Sequence, residues 1–110
     1  MKSMIMIRQA NAGQYFTAVI GDTIEVLLDE NPSTGYLWEV VKLDRNILVS
    51  LESSFFYTSD ALLGSRGIRR FQFVVKAPGE TIISFRLIRP WEKDASAIEQ
   101  FQVTINAVKS

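Results

Sequence analysis

The run Phe101-Gln102-Val103-Thr104-Ile105-Asn106-Ala107 alternates apolar and polar residues without a break. A period of two places every second side chain on one face of an extended chain, so this stretch reads as a half-buried β-strand rather than a helix. Working outward, Phe71, Phe73 and Val75 alternate with Gln72, Val74 and Lys76, and Ile83, Phe85 and Leu87 alternate with Ser84 and Arg86. Ile24, Val26 and Leu28 alternate with Thr23, Glu25 and Leu27. The segments 36–41 and 47–57 are rich in aromatic and β-branched residues, which fit a pleated surface, and 15–20 adds a further strand with 4–8 as an edge piece. No segment keeps helical spacing. The expectation is an all-β fold, an immunoglobulin-like antiparallel β-sandwich of about seven to eight strands, with a small barrel as the competing layout. Val26, Phe71, Phe73, Phe85, Phe101 and Val103 are the expected core.

The 110 residues are 47% hydrophobic, enough for one core without metal or crosslinks, and the expected organisation is one domain over residues 1–110. Twelve basic residues balance twelve acidic ones, so no global field draws the protein to nucleic acid or to an anionic membrane. The chain has no cysteine and no histidine, which removes thiol and imidazole metal sites, His-activated nucleophiles and the commonest general base. No pair among its carboxylates stands in a setting that suggests acid–base work. Neither an enzyme nor a cofactor is expected. The apolar run Met4–Ile7 is too short for a signal-peptide core or a membrane span. Composition leaves the compartment open, with the cytoplasm as the default and a monomer as the expected free state.

Strict up-and-down alternation of strands 23–28, 36–41, 47–57, 68–76, 81–88 and 98–108 sorts their connections by end. One end receives the ordinary turns Leu43-Asp44-Arg45-Asn46 and Ala77-Pro78-Gly79-Glu80. The other receives Asn31-Pro32-Ser33-Thr34-Gly35-Tyr36, Gly64-Ser65-Arg66-Gly67 and Arg89-Pro90-Trp91. Binding residues concentrate on loops carried by a rigid scaffold. In the first of these loops Pro32 fixes its own φ and biases Asn31 towards extended geometry, while Gly35 is free to take positive φ, so Ser33 and Thr34 are presented on a stiff turn. Taken alone, the segment also reads as a plain Asn-Pro turn. Gly64 and Gly67 permit a tight turn and close approach of a partner, or simply a flexible hairpin connection. Trp and Arg are enriched among interface hot spots, although Trp91 could instead fold back over the core and Arg89 could form a surface ion pair.

The three motifs together, in this order and at these intervals, resemble chagasin-type inhibitors of papain-like cysteine proteases. That family carries Asn-Pro-Thr-Thr-Gly followed by an aromatic, then a Gly-X-Gly-Gly loop, then Arg-Pro-Trp, and the resemblance spans nearly the whole chain. It implies an immunoglobulin-like fold and reversible, non-covalent inhibition, with the 31–36 loop in the protease cleft and the other two loops gripping either side. The protease-binding residues would be Asn31, Pro32, Ser33, Thr34, Gly35, Tyr36, Gly64, Ser65, Arg66, Gly67, Arg89, Pro90 and Trp91. Ser33 stands where the family has its first Thr, and Arg66 stands at the middle Gly, where a positive φ would strain a side chain by roughly 1 kcal/mol.

Three rival functions follow from the same residues. Arg66, Arg69 and Arg70 beside Phe71 and Phe73 resemble a stripe for nucleic acid, but alternation turns both phenylalanines away from Arg70. Asp29, Glu30 and Asn31 could offer oxygen ligands to Ca²⁺, without the loop spacing such sites use. A sandwich module for adhesion or ligand binding, lacking inhibitory activity, is the remaining alternative.

Overall fold

The computed structural model describes residues 3–58, 66–92 and 96–110. Among the described residues, nine strands form two sheets: β1 (Met4–Arg8), β2 (Tyr15–Val19), β3 (Thr23–Glu30), β4 (Leu37–Lys42), β5 (Leu48–Ser50), β6 (Ser54–Tyr57), β7 (Gly67–Val75), β8 (Gly79–Ile88) and β9 (Glu99–Val108). The first sheet runs β1-β3-β7, with β5 and β6 both paired to the far side of β7; the second runs β2-β9-β8-β4. The sandwich expected from the alternation is therefore present.

Two edge pairings, β1 with β3 and β2 with β9, are parallel within an otherwise antiparallel arrangement. Their direction follows from the same alternation that sorts the loops. β1 passes through a 3-10 turn at Gln9–Asn11 and enters the other sheet as β2, and the chain reverses again before β3. Two reversals return it to the direction of β1.

The segment expected as one strand over 47–57 is divided. Ser50 pairs with Phe73 and Ser54 with Arg70, so four steps along the edge cover three on β7, and the surplus residue interrupts the ladder. A second irregularity lies between Val40 and Lys42, which pair with the adjacent Phe85 and Ser84 and leave Val41 turned out to solvent.

All six expected core residues are buried. Phe85 sits at the centre of an aromatic group, its ring centroid 4.9 Å from Phe71, 6.3 Å from Phe73 and 5.9 Å from Phe101. Tilted and edge-on rings of this kind join the two sheets by matching positive edges to negative faces. Trp38 of β4 is also buried, and its indole N–H, costly to leave unpaired, donates to the Asp29 carbonyl at 2.8 Å.

Candidate functional site

The turn that follows β3 is built from its own side chains. Asn31 holds an extended backbone (φ −111°, ψ 102°) ahead of the 3-10 turn Pro32–Thr34. Its Oδ1 accepts from the Ser33 amide at 3.0 Å and from the Ser33 hydroxyl at 2.6 Å. Asn31 thus acts as a helix cap, with Pro32 in the first position, where a missing N–H does no harm. The Thr34 hydroxyl donates to the Asn31 carbonyl at 2.7 Å and accepts from the Tyr36 amide at 3.3 Å. Both hydroxyls are thus committed to the shape of the turn while Ser33 and Thr34 stay exposed at its tip.

Gly35 closes the turn at φ 80°, a left-handed conformation that costs a side-chain-bearing residue about 1–2 kcal/mol. There is a second reason for glycine: a Cβ here would overlap the outer ring atoms of Trp91. The indole of the 89–91 segment rests on the bare backbone of the first loop. Arg89 joins the same two loops, its Nε donating to the Thr34 carbonyl at 3.1 Å and its guanidinium lying 4.4 Å from the centroid of the Tyr36 ring. Glu92 holds the other side of that guanidinium at 3.3 Å. Trp91 nevertheless remains 67% exposed and Pro90 is exposed beside it. The reading in which Trp91 folds back over the core does not describe this structure.

Of the four residues expected in the second loop, Gly64 and Ser65 lie outside the described residues. Arg66 is exposed and lines a cleft of about 590 Å³ together with Asn31, Thr34, Tyr36, Thr58, Leu87 and Ile98. Gly67 is the buried first residue of β7, paired with Tyr57 on one side and Glu30 on the other. Its missing Cβ is explained inside the fold, because the Phe55 ring and the Phe56 carbonyl occupy that space. The cleft draws its walls from the ends of β3, β7 and β8 and from Tyr36, Thr58 and Ile98, which adjoin β4, β6 and β9, so the described parts of the three connections meet at one end of the sandwich, as alternation requires.

Two residues of the site escaped the motif reading. Glu30, the last residue of β3, is buried, and its carboxylate accepts from the Trp38 amide at 2.8 Å and from Arg69 Nη2 at 2.8 Å. Arg69 also stacks on Phe55, 5.3 Å from its centroid. The signal was present in the alternation: Glu30 continues the inward series Ile24, Val26, Leu28, and Arg69 precedes Phe71 and Phe73 in theirs, so opposite charges face the same interior. Glu30, Asp29 and Asn31 do not converge as cation ligands, since Glu30 turns inward to Arg69 and Asn31 is engaged by Ser33. Two of the three arginines of the supposed nucleic-acid stripe are likewise held within the sheet, Arg69 by Glu30 and Arg70 by Glu25 at 3.8 Å and Ser54 at 3.2 Å, while Arg66 is exposed.

Comparison with known proteins gives concordant findings. Residues 17–105 match the family described as Chagasin family peptidase inhibitor I42. Chagasin of Trypanosoma cruzi is 28% identical over 105 residues, which cover 92% of this chain and 96% of that protein. Among solved structures, the cysteine protease inhibitor EhICP2 from Entamoeba histolytica superposes with a TM-score of 0.87 at 20% identity, covering 97% of both chains. Amebosin superposes with a TM-score of 0.75 at 23% identity, over 96% of this chain and 97% of its own. PbICP-C, solved in complex with falcipain-2, gives 0.62 at 15% identity, over 96% and 99%. These structural likenesses concern the fold.

Proposed function

The chain belongs to the chagasin family of peptidase inhibitors, whose members are inhibitors and not enzymes, and from that premise we propose that it blocks papain-like cysteine proteases reversibly and without covalent chemistry. The 31–36 turn enters the active-site cleft with Ser33 and Thr34 at its tip. Trp91 and the 64–67 connection grip the cleft on either side. The observation that carries this reading is the internal satisfaction of the turn: cap, hydroxyls, glycine and the Arg89 contact hold one conformation before any partner arrives. A loop already ordered loses little conformational entropy on docking, which leaves more of the contact energy as affinity. The structures named above include a cysteine protease inhibitor and PbICP-C in complex with falcipain-2, which supports the same class of partner.

The test is a titration against papain and a cathepsin-like enzyme. Inhibition should be dose-dependent and should reverse on dilution. Thr34→Arg, which places a long charged side chain at the exposed tip, should abolish inhibition while the protein stays folded, its melting temperature lowered only by the loss of the two exposed hydroxyl contacts. If the intact protein leaves several papain-like enzymes untouched, the adhesion or ligand-binding reading of the sandwich replaces this one.

A further inference from the structure

We propose that Glu30 is a positioning residue for the 31–36 loop, an inference that rests on the inhibitory reading above. The two stems of this loop belong to different sheets, β3 to the first and β4 to the second, so no ladder hydrogen bonds tie them together. Among the described residues, the hydrogen bonds that join the stems are Trp38 N–H to Glu30 Oε1 and Trp38 Nε1–H to the Asp29 carbonyl, both 2.8 Å. Glu30 immediately precedes the loop, and Trp38 is the second residue of β4 beyond it.

The other carboxylate oxygen receives Arg69 Nε at 3.1 Å and Nη2 at 2.8 Å, and in register Glu30 lies opposite Gly67, where the second connection rejoins the sheet. One carboxylate therefore sets the separation of both stems of the first loop and references it to the start of β7. The Glu30 side chain is only 1% exposed. Desolvating a carboxylate is expensive, and apolar replacements of buried ion pairs are often neutral or stabilising, so stability alone does not account for a charge at this place. Its geometric effect does: an ion pair with two fixed donors defines a direction that an apolar contact leaves free.

Without this bracket the loop samples other arrangements, and apparent affinity falls by the fraction that remains competent. Because rearrangement then precedes docking, the loss falls on association rather than dissociation. Glu30→Ala should weaken inhibition of papain by about tenfold, chiefly through the association rate, at a temperature well below its unfolding midpoint. In the free protein, hydrogen exchange of the Ser33, Thr34 and Gly35 amides should accelerate while the amides of Phe73 and Phe85 keep their protection. Glu30→Gln, which retains an acceptor for Trp38, should show the same changes to a smaller degree and serves as the test if the alanine variant does not fold. Loop exchange and association rate equal to the parent, with only a lower melting temperature, would overturn the proposal. A parent protein that fails to inhibit papain would overturn the functional reading instead, and the exchange measurement would still decide whether Glu30 orders the loop.

Discussion

Replacing Trp91 by alanine separates anchoring from folding because of where the indole sits. It is 67% exposed in the free protein, resting on Gly35 along one edge. Buried aromatic side chains cover up to ~250 Å², so roughly 170 Å² of this one remains for a partner to cover. At about 25 cal/mol per Å² the ceiling on its contribution is about 4 kcal/mol. Ordering and imperfect contact reduce that figure, and a loss of about 2 kcal/mol marks the threshold of an interface hot spot. At about 1.4 kcal/mol per factor of ten, Trp91→Ala should therefore raise the inhibition constant roughly thirtyfold. Stability should hardly respond. Substitution of an exposed residue moves folding free energy by about 0.5 kcal/mol or less, or about 4 °C at most in a domain of this size. The assay is the inhibition constant against papain beside a thermal melt of the same preparation. Unchanged inhibition would refute the anchor role, and a large drop in melting temperature would show that the indole supports the fold instead.

Two further outcomes follow from the geometry. Gly35→Ala places a side chain at φ 80° and against the Trp91 ring, so it should destabilise the protein by about 1–2 kcal/mol from backbone strain and also weaken inhibition by displacing the indole. Combining it with Trp91→Ala should then cost less inhibition than the two separate losses imply, which a double-mutant cycle measures. Asp22 contributes to stability in a pH-dependent way: the amides of Val19 and Ser3, each 2.9 Å away, hold its carboxyl below the ordinary carboxylate range against the opposing pull of desolvation. A pKa lower in the folded than in the unfolded state means that the unfolded chain binds the proton more tightly, so this contribution is complete above the unfolded value and is lost as pH falls through the folded one. Asp22→Asn should be less stable than the parent at neutral pH in urea titrations, with the gap closing in acid; a gap independent of pH would refute the assignment.

Strand phases were legible in the sequence because period two is a local property, and burial of Phe71, Phe73, Phe85, Phe101 and Val103 needed only a face to point at. The gathering of the described parts of the loops was legible for a related reason. Alternating strand direction is set by chain connectivity, and the same parity explains the parallel edge pairs. Tertiary structure alone decided which distant group fills each local vacancy. Gly35 and Gly67 look alike as turn glycines, yet one makes room for Trp91 of another loop and the other for Phe55 of a neighbouring strand. Arg89 carries a motif, but its bond to the Thr34 carbonyl and its place over Tyr36 exist only once β4 and β8 are paired. The division of the 47–57 segment likewise follows from its register against β7. Alternation could put Glu30 and Arg69 inside; their pairing depends on β3 and β7 lying side by side, because the 39 positions that separate them in the chain carry no information about a 2.8 Å contact.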